Sequence, residues 1–214
     1  MWIHPFINLE CPSFNAASSH VVSDANGLPA LTSWWQGNLA GYFDFTRPRS
    51  ADWWSQRILK LKTDYGFDGF KVDAGETNWL PSGFDFSATL AANATPNGYS
   101  TAYGKNMERF GPMTEVRTGW AAQDVPIFTR MLDKDTFWGK ANGLATLIPT
   151  LFQFGLEGYP FVLPDMIGGN GYNTVLPERE LFIRWMQANV FMPAMQFSYT
   201  PWDYDQEVCY LVLP

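Results

Sequence analysis

Residues 67–76 read Phe-Asp-Gly-Phe-Lys-Val-Asp-Ala-Gly-Glu, an apolar run that ends on a carboxylate and continues into a glycine turn. Strands of a parallel sheet are buried on both faces, and a βα barrel mounts its functional groups at their carboxyl ends. The stretch therefore predicts a buried strand that delivers Asp73 to the edge of a parallel sheet. A lone Asp at this place is also a common helix cap, so the neighbouring segments have to decide its role.

Apolar runs of the same kind recur along the chain and alternate with segments of helical spacing. Further strands are predicted near residues 2–8, 42–45, 126–130, 161–165 and 193–198. Helices are predicted over residues 51–65, 142–156 and 177–190, the first introduced by Thr46 as a cap and by Pro48. Residues 83–103 lack a clear period and predict a long loop. The order of elements indicates an α/β fold with a parallel sheet.

Two further predicted strands also end beside acids. Arg130 closes one strand, with Asp133 and Asp135 just beyond it, and Asp165 closes another before a glycine pair. The carboxyl ends of parallel strands lie on one face, so these acids are predicted to converge with Asp73. Glycoside hydrolysis needs one carboxylate and one carboxylic acid, about 5 to 5.5 Å apart in retaining enzymes. A solvated loop with internal ion pairs is the alternative interpretation of residues 130–135.

Composition narrows the classes of function. Charged residues make up 16% and hydrophobic residues 46%, which excludes a disordered chain. The formal charge of -7 argues against a nucleic-acid partner, because phosphates need a basic surface. Aromatic residues reach 17%, with 10 Trp, and favour a carbohydrate-facing cleft in which rings stack on sugars. No run approaches the roughly 18 apolar residues of a membrane span, so no membrane segment is predicted.

Other features carry less weight. His4 and His20 are not spaced with acids or cysteines as metal ligands, so no metal site is predicted. The sequon at Asn93 favours the secretory pathway slightly, and Cys11 and Cys209 do not fix the redox compartment. Apolar residues at both ends of the chain predict that it is a fragment of a larger domain.

The segment Phe70–Glu76 resembles the nucleophile motif of glycoside hydrolase family 31, which comprises retaining α-glycosidases. The resemblance extends, in order, over residues 34–35, 44–46, 158–170 and 193–198. It implies a (β/α)8 TIM-type barrel that is incomplete here, with about five of its eight strands present. Residues 1–214 would then be the central part of the catalytic barrel.

The same resemblance implies roles for individual residues. Asp73 would be the nucleophile that forms a covalent glycosyl-enzyme intermediate, and Asp133 would be the acid/base. Asp135 stays as the alternative acid/base, because no acid follows Trp138-Gly139, where many family members carry one. The predicted substrate-binding residues are Arg130, Asp165, Trp34, Trp35, Lys71 and Trp138. Arg130 would also help to keep the nucleophile ionised.

The resemblance implies a carbohydrate substrate of α-galactoside or α-glucoside type, with water as co-substrate and no cofactor. Gln196-Phe197-Ser198 stands where many members carry a histidine, which leaves the usual sugar contact open. Two alternatives remain: a catalytically silent sugar-binding barrel, and a transglycosylase that uses the same carboxylates. The sequence leaves the oligomeric state and localisation open.

Overall fold

Two units, Met1–Ile127 and Phe128–Pro214, divide the chain in the computed structural model, which describes residues 1–172 and 175–212. The strands of unit 1 are β1 (Trp2–Ile3), β2 (Phe6–Asn8), β3 (Leu31–Trp34), β4 (Gly37–Tyr42), β5 (Phe70–Val72) and β6 (Thr114–Val116). Its α-helices are α1 (Phe14–Ala17), α2 (Pro48–Tyr65) and α3 (Asn97–Asn106).

Strand β5 confirms the strand predicted before Asp73. It lies between β1 and β6 and is parallel to both, with Lys71 opposite Trp2 on one side and Glu115 on the other. Phe70 and Val72 are buried in an aromatic-rich core. The alternation of apolar and charged letters in Phe-Lys-Val therefore follows the period-2 pleat, with the Lys71 ammonium paired to Glu115 at 3.3 Å.

The predicted segment 2–8 forms two strands instead of one. Between them, His4 and Pro5 interrupt the ladder, and β2 pairs antiparallel with β4, which also pairs with β3. This three-stranded antiparallel sheet was not predicted, since Gly37–Tyr42 contains two glycines and no clear alternation. It carries Trp34 at the end of β3 and Tyr42 at the end of β4.

Helix α2 begins at Pro48, within the start predicted at residues 46–48, although its regular helical spacing was predicted only from residue 51. Its N-cap is Arg47 and not Thr46, and Pro48 occupies the first turn, where its missing N–H costs no hydrogen bond. The helix ends as expected at Gly66, whose φ of 70° places it in the left-handed region that favours glycine.

The long loop predicted over residues 83–103 was wrong over its last part, because Asn97–Asn106 form α3. Gly98 and Gly104 weaken the local helix propensity, and the helix is stabilised instead by two wholly buried side chains, Tyr99 and Tyr103. Strand β6 was also missed, because Thr-Glu-Val reads as polar although all three residues are buried.

In unit 2, the strands are β7 (Phe128–Arg130), β8 (Val162–Leu163), β9 (Met166–Ile167) and β10 (Gln196–Phe197), and the helices are α4 (Leu147–Leu156), α5 (Arg179–Asn189) and α6 (Gln206–Val212). β7 is parallel to β8, and β9 is parallel to β10. The three predicted strands are confirmed, although shorter than predicted. Helices α4 and α5 begin after residues 142 and 177, respectively. A second core surrounds Trp185 and Phe182.

Within the described residues, no helix combines the length and the apolar character that crossing a bilayer requires. Cys11 and Cys209 are both free thiols.

The pairing of β5 with β6 predicts a strong effect of Gly69→Ala. A Cβ at Gly69 would lie 1.7 Å from the Met113 carbonyl oxygen, the atom that accepts a hydrogen bond from Phe70 N–H. We expect this variant to lose about 2 kcal/mol or more of unfolding free energy, because the backbone has to shift. The measurement is urea unfolding of the protein.

The matched control is Gly155→Ala in α4, where an added Cβ meets nothing within 4 Å. That helix position should gain roughly 0.5 to 1 kcal/mol. Equal midpoints for the two variants would contradict the proposed crowding at Gly69.

Candidate active site

Asp73 directly follows β5, and both oxygens of its carboxylate are held. Its backbone N–H continues the β1–β5 ladder to the Ile3 carbonyl at 2.9 Å, so the strand fixes the main chain. Oδ1 accepts a hydrogen bond from Ala74 N–H at 3.0 Å, and the Trp2 indole N–H donates to Oδ2 at 2.9 Å. The side chain is 12% exposed. Asp73 is thus a largely buried carboxylate in a fixed orientation.

Arg117, one residue beyond β6, supplies the positive charge next to Asp73. Its Nε lies 3.3 Å from Asp73 Oδ1, and the guanidinium also pairs with both carboxylate oxygens of Glu76. The Trp79 indole donates to Glu76 Oε2 at 2.9 Å. Because Arg117 is 10% exposed, its attraction for these carboxylates is screened less than at a surface. Asp73 and Glu76 thus share one largely buried positive charge.

Aromatic rings border this carboxylate pair. Trp2 and Trp35 are each 42% exposed, and Arg117 lies over the Trp35 ring at 5.5 Å. Trp34 is placed differently: it stacks on Phe6, and its indole N–H donates to Asn8 at 2.7 Å. Of the two predicted tryptophans, Trp35 therefore has the more exposed ring, and Trp34 packs edge-on against it.

His4 and Lys71 lie near the same strand ends. Burial among the aromatic rings lowers the pKa of His4, with the Asp73 charge acting in the opposite direction. The neutral imidazole is favoured, and its Nδ1 accepts a hydrogen bond from Phe6 N–H at 3.3 Å. Lys71, predicted to bind substrate, has its ammonium 3.3 Å from Glu115 of the neighbouring strand.

In unit 2, Arg130 and Asp165 form a buried ion pair. Arg130 is 2% exposed, and its Nη1 donates to Asp165 Oδ1 at 2.7 Å. Lys134 N–H and the Asn170 amide donate to Asp165 Oδ2 at 2.6 and 2.8 Å. Burial raises the pKa of Asp165, and the charge of Arg130 opposes that rise. Each oxygen of Asp165 is satisfied, as a buried carboxylate requires.

Asp133 belongs to the same network and remains accessible. Arg130 Nη1 donates to its Oδ1 at 2.9 Å, and the Tyr172 hydroxyl donates to its Oδ2. The Asp133 side chain is 33% exposed. Asp135, the alternative acid/base, is exposed, and its Oδ2 accepts from the Asn142 amide at 3.3 Å. Of these two candidates, Asp133 is the one whose carboxylate contacts Arg130.

Trp138 and Lys134 lie on the same segment as Asp133. Trp138 is 44% exposed, and its indole N–H donates to Glu178 at 3.2 Å. Lys134 is buried, which lowers the pKa of its ammonium, and its Nζ donates to Thr146 at 2.9 Å. Across residues 1–172 and 175–212, no group of three or more His, Cys, Asp or Glu residues is arranged to hold a metal ion.

Comparison with known proteins identifies the family. Residues 1–212 match the model of the glycosyl hydrolases family 31 TIM-barrel domain. The chain belongs to glycoside hydrolase family 31. Among curated relatives, it is 41% identical over 219 residues to the myogenesis-regulating glycosidase of Mus musculus, covering 97% of this chain. It spans only 30% of that protein's length.

Solved structures place the chain in the same fold. It resembles a cycloalternan-degrading enzyme from Trueperella pyogenes, solved in complex with a covalent intermediate, with a TM-score of 0.77 and 25% identity. The match covers 99% of this chain and 32% of that one. A family 31 sulfoquinovosidase from E. rectale gives a TM-score of 0.79 at 20% identity, covering 99% and 35% of the two chains. The family and the TIM-barrel fold predicted from the sequence are confirmed.

Sequence reasoning gave no role to three residues around Asp73. The role of Arg130 in keeping Asp73 ionised stays a prediction, and the guanidinium that contacts Asp73 within unit 1 is that of Arg117. The sequence signal for Arg117 was its place directly after Thr-Glu-Val, a segment that forms β6 although two of its three residues are polar. Trp2 was assigned to a strand without a role, and Glu76 was quoted only as part of the motif.

The Arg130–Asp165 pair predicts a large stability effect of Asp165→Asn. Asp165 has a φ of 66°, a left-handed conformation that Asn tolerates, so the substitution changes charge with little change in backbone or shape. We expect a loss of about 3 kcal/mol or more of unfolding free energy, because Arg130 stays buried without its full counter-charge. Urea unfolding at neutral pH measures it.

Asp64→Asn is the control, since it removes an exposed ion pair with Lys60. The Asp64 side chain is 41% exposed and the Lys60 side chain is 73% exposed. That pair should contribute less than about 1 kcal/mol. If both variants lost the same stability, burial would not explain the strength of the Arg130–Asp165 interaction.

Proposed function

We propose that this chain carries the catalytic residues of a retaining α-glycosidase, with Asp73 as nucleophile and Asp133 as acid/base. The observation that carries the proposal is the setting of Asp73. Its Oδ1 is held by Ala74 N–H and Arg117, and its Oδ2 accepts a hydrogen bond from the indole N–H of Trp2, a ring that is 42% exposed. A carboxylate fixed at the carboxyl end of a strand suits a nucleophile.

The proposed reaction is a double displacement. Oδ2 of Asp73 attacks the anomeric carbon while Asp133 gives its proton to the departing glycosidic oxygen. Asp133 then takes a proton from water, and the resulting hydroxide breaks the Asp73–sugar ester. The covalent intermediate named for the Trueperella pyogenes enzyme supports this route by analogy.

Binding of a sugar is supported by the rings around Asp73. The exposed rings of Trp2 and Trp35 offer apolar faces on which a pyranose can stack. We propose a terminal α-linked sugar, of galactoside or glucoside type, as substrate. Asp165 would fix Arg130 and through it Asp133, while Trp138 and Asn142 would shape the same loop.

A silent sugar-binding barrel is the second candidate, and one contact favours it. Arg130 donates to Asp133 at 2.9 Å, which stabilises the carboxylate and opposes the protonated form that an acid catalyst needs. A transglycosylase would use the same carboxylates but transfer the sugar to another hydroxyl group.

The test compares Asp73→Asn and Asp133→Asn in the full-length parent protein on aryl α-galactosides and α-glucosides. We expect each variant to lose roughly 10³-fold or more in kcat, because each lacks a group that forms or breaks bonds. For the unchanged parent, kcat/KM should follow a bell-shaped pH curve, as one carboxyl group has to be ionised and the other protonated. Azide should restore part of the activity of Asp73→Asn only if a nucleophile is missing.

Asp124→Asn is the control, because it removes an exposed acid that pairs with Lys105 at 3.2 Å. It should retain the parent's rate. A parent that binds sugar without hydrolysing it would support the silent barrel, and products carrying an acceptor sugar would indicate transglycosylation.

A further inference from the structure

The loop that carries Asp73 has an unusual backbone. Ala74 and Gly75 have φ values of 61° and 96°, in the left-handed region that L side chains rarely adopt. Ala74 is wholly buried. The Asp73 N–H still bonds to the Ile3 carbonyl of β1, but the peptide groups that follow it lie beyond the end of β5 at Val72 and need other partners.

Three side-chain hydroxyls supply those partners. Tyr103 donates to the Asp73 carbonyl at 2.7 Å, and Ser100 donates to the Gly75 carbonyl at 3.0 Å. The Tyr42 hydroxyl accepts from Gly75 N–H at 2.9 Å and donates to the Glu76 carbonyl at 3.2 Å. We name Tyr42, Ser100 and Tyr103 the hydroxyl clamp.

The clamp is rigid because it is part of the core. Tyr42 and Tyr103 are both 0% exposed, and burial raises their pKa values well above the ordinary one, so the hydroxyls keep their protons. A Cβ added to Gly75 would lie 2.3 Å from the Tyr103 ring. The Tyr103 ring in turn packs edge-on against Phe45 at 5.0 Å. The loop cannot shift towards α3 without displacing buried aromatic rings.

The clamp acts on a segment with two charged ends. Asp73 opens the segment and Glu76 closes it, and Arg117 pairs with both carboxylates. The hydroxyls therefore fix the spacing of the two carboxylates that share one guanidinium. A shift of the Asp73 main chain would also change the angle at which Oδ2 faces a sugar.

We propose that the hydroxyl clamp positions Asp73 for attack, with Tyr103 as its principal member. The proposal rests on the proposed function of Asp73 as nucleophile. Tyr103 does not touch substrate or the reacting atoms; it acts through the Asp73 main chain. Misplacing a reacting group by about 1 Å can cost on the order of 100-fold in rate, so such a residue affects kcat more than substrate binding.

The experiment is Tyr103→Phe in the full-length parent, which removes one oxygen and keeps the ring. We expect kcat to fall about 10- to 100-fold while KM changes less than about 3-fold, because the error lies in positioning. The rate of covalent labelling of Asp73 by an activated 2-deoxy-2-fluoro glycosyl fluoride should fall by a similar factor. Ser100→Ala is the second variant, with the same direction and a smaller effect, should Tyr103→Phe fail to fold.

Tyr204→Phe is the matched control, since the Tyr204 hydroxyl donates to a backbone carbonyl, that of Pro177, at 2.8 Å. It should lower the melting temperature and leave kcat unchanged. The clamp is refuted if Tyr103→Phe and Ser100→Ala lose no more kcat than this control, or if their loss lies in KM. Asp73→Asn distinguishes failure of the proposed nucleophile from failure of the proposed clamp. If that variant keeps its rate, Asp73 is not the nucleophile, whatever the tyrosine variants do.

Discussion

The parallel pairing of β5 on both sides is the constraint on which the first unit depends. β1 and β6 each bond to it, Phe70 and Val72 enter the core, and Gly69 is small enough for the Met113 carbonyl to approach. A strand held in this way leaves its last residue little freedom. Asp73 therefore takes its place from the sheet, and the loop that follows has to adapt to it. The strained backbone at Ala74 and Gly75 lies in this loop.

In each unit, a largely buried guanidinium contacts two carboxylates. Arg117 pairs with Asp73 and Glu76, and Arg130 pairs with Asp133 and Asp165. Burying a cation beside two acids leaves a net negative charge, which is favourable only where further donors satisfy the acids. Trp2 and Trp79 donate in unit 1, as Lys134 N–H and Asn170 do in unit 2. Both sites thus combine desolvation with hydrogen bonding in the same way.

The fold was largely predictable because the strands before Asp73 and Asp165 are apolar runs with acids at their ends. The parts that were missed share a physical cause. Strand β6 has polar letters, and Glu115 is tolerated in its buried place because Lys71 lies opposite. Arg117 follows that strand, so its position beside Asp73 depended on an element that local sequence did not indicate. Long-range strand pairing determines both strand β6 and the position of Arg117, and a local sequence pattern does not indicate such pairing.

Helix α3 illustrates the same limit. Asn97–Asn106 contains two glycines and several residues of modest helix propensity, so the local preference is weak. Ser100 and Tyr103 gain their hydrogen bonds to backbone carbonyls only when the helix lies against the Asp73 loop, and Tyr99 donates to the Phe43 carbonyl just beyond β4. The helix and the loop therefore stabilise each other, and neither can be assigned without its partner.

Backbone strain is concentrated where carboxylates are presented. Among the described residues, the non-glycine positions with positive φ are Ala74, Ala121 and Asp165. Two of these three are a candidate site residue or its neighbour. A conformation of this kind costs roughly 1 to 3 kcal/mol and persists only where surrounding contacts enforce it. At Ala74 these contacts are the buried hydroxyls, and at Asp165 they are Arg130, Lys134 N–H and Asn170. In both places, the backbone turns sharply after a strand and a carboxylate contacts a guanidinium. A relaxed loop would not hold the carboxylate in that position.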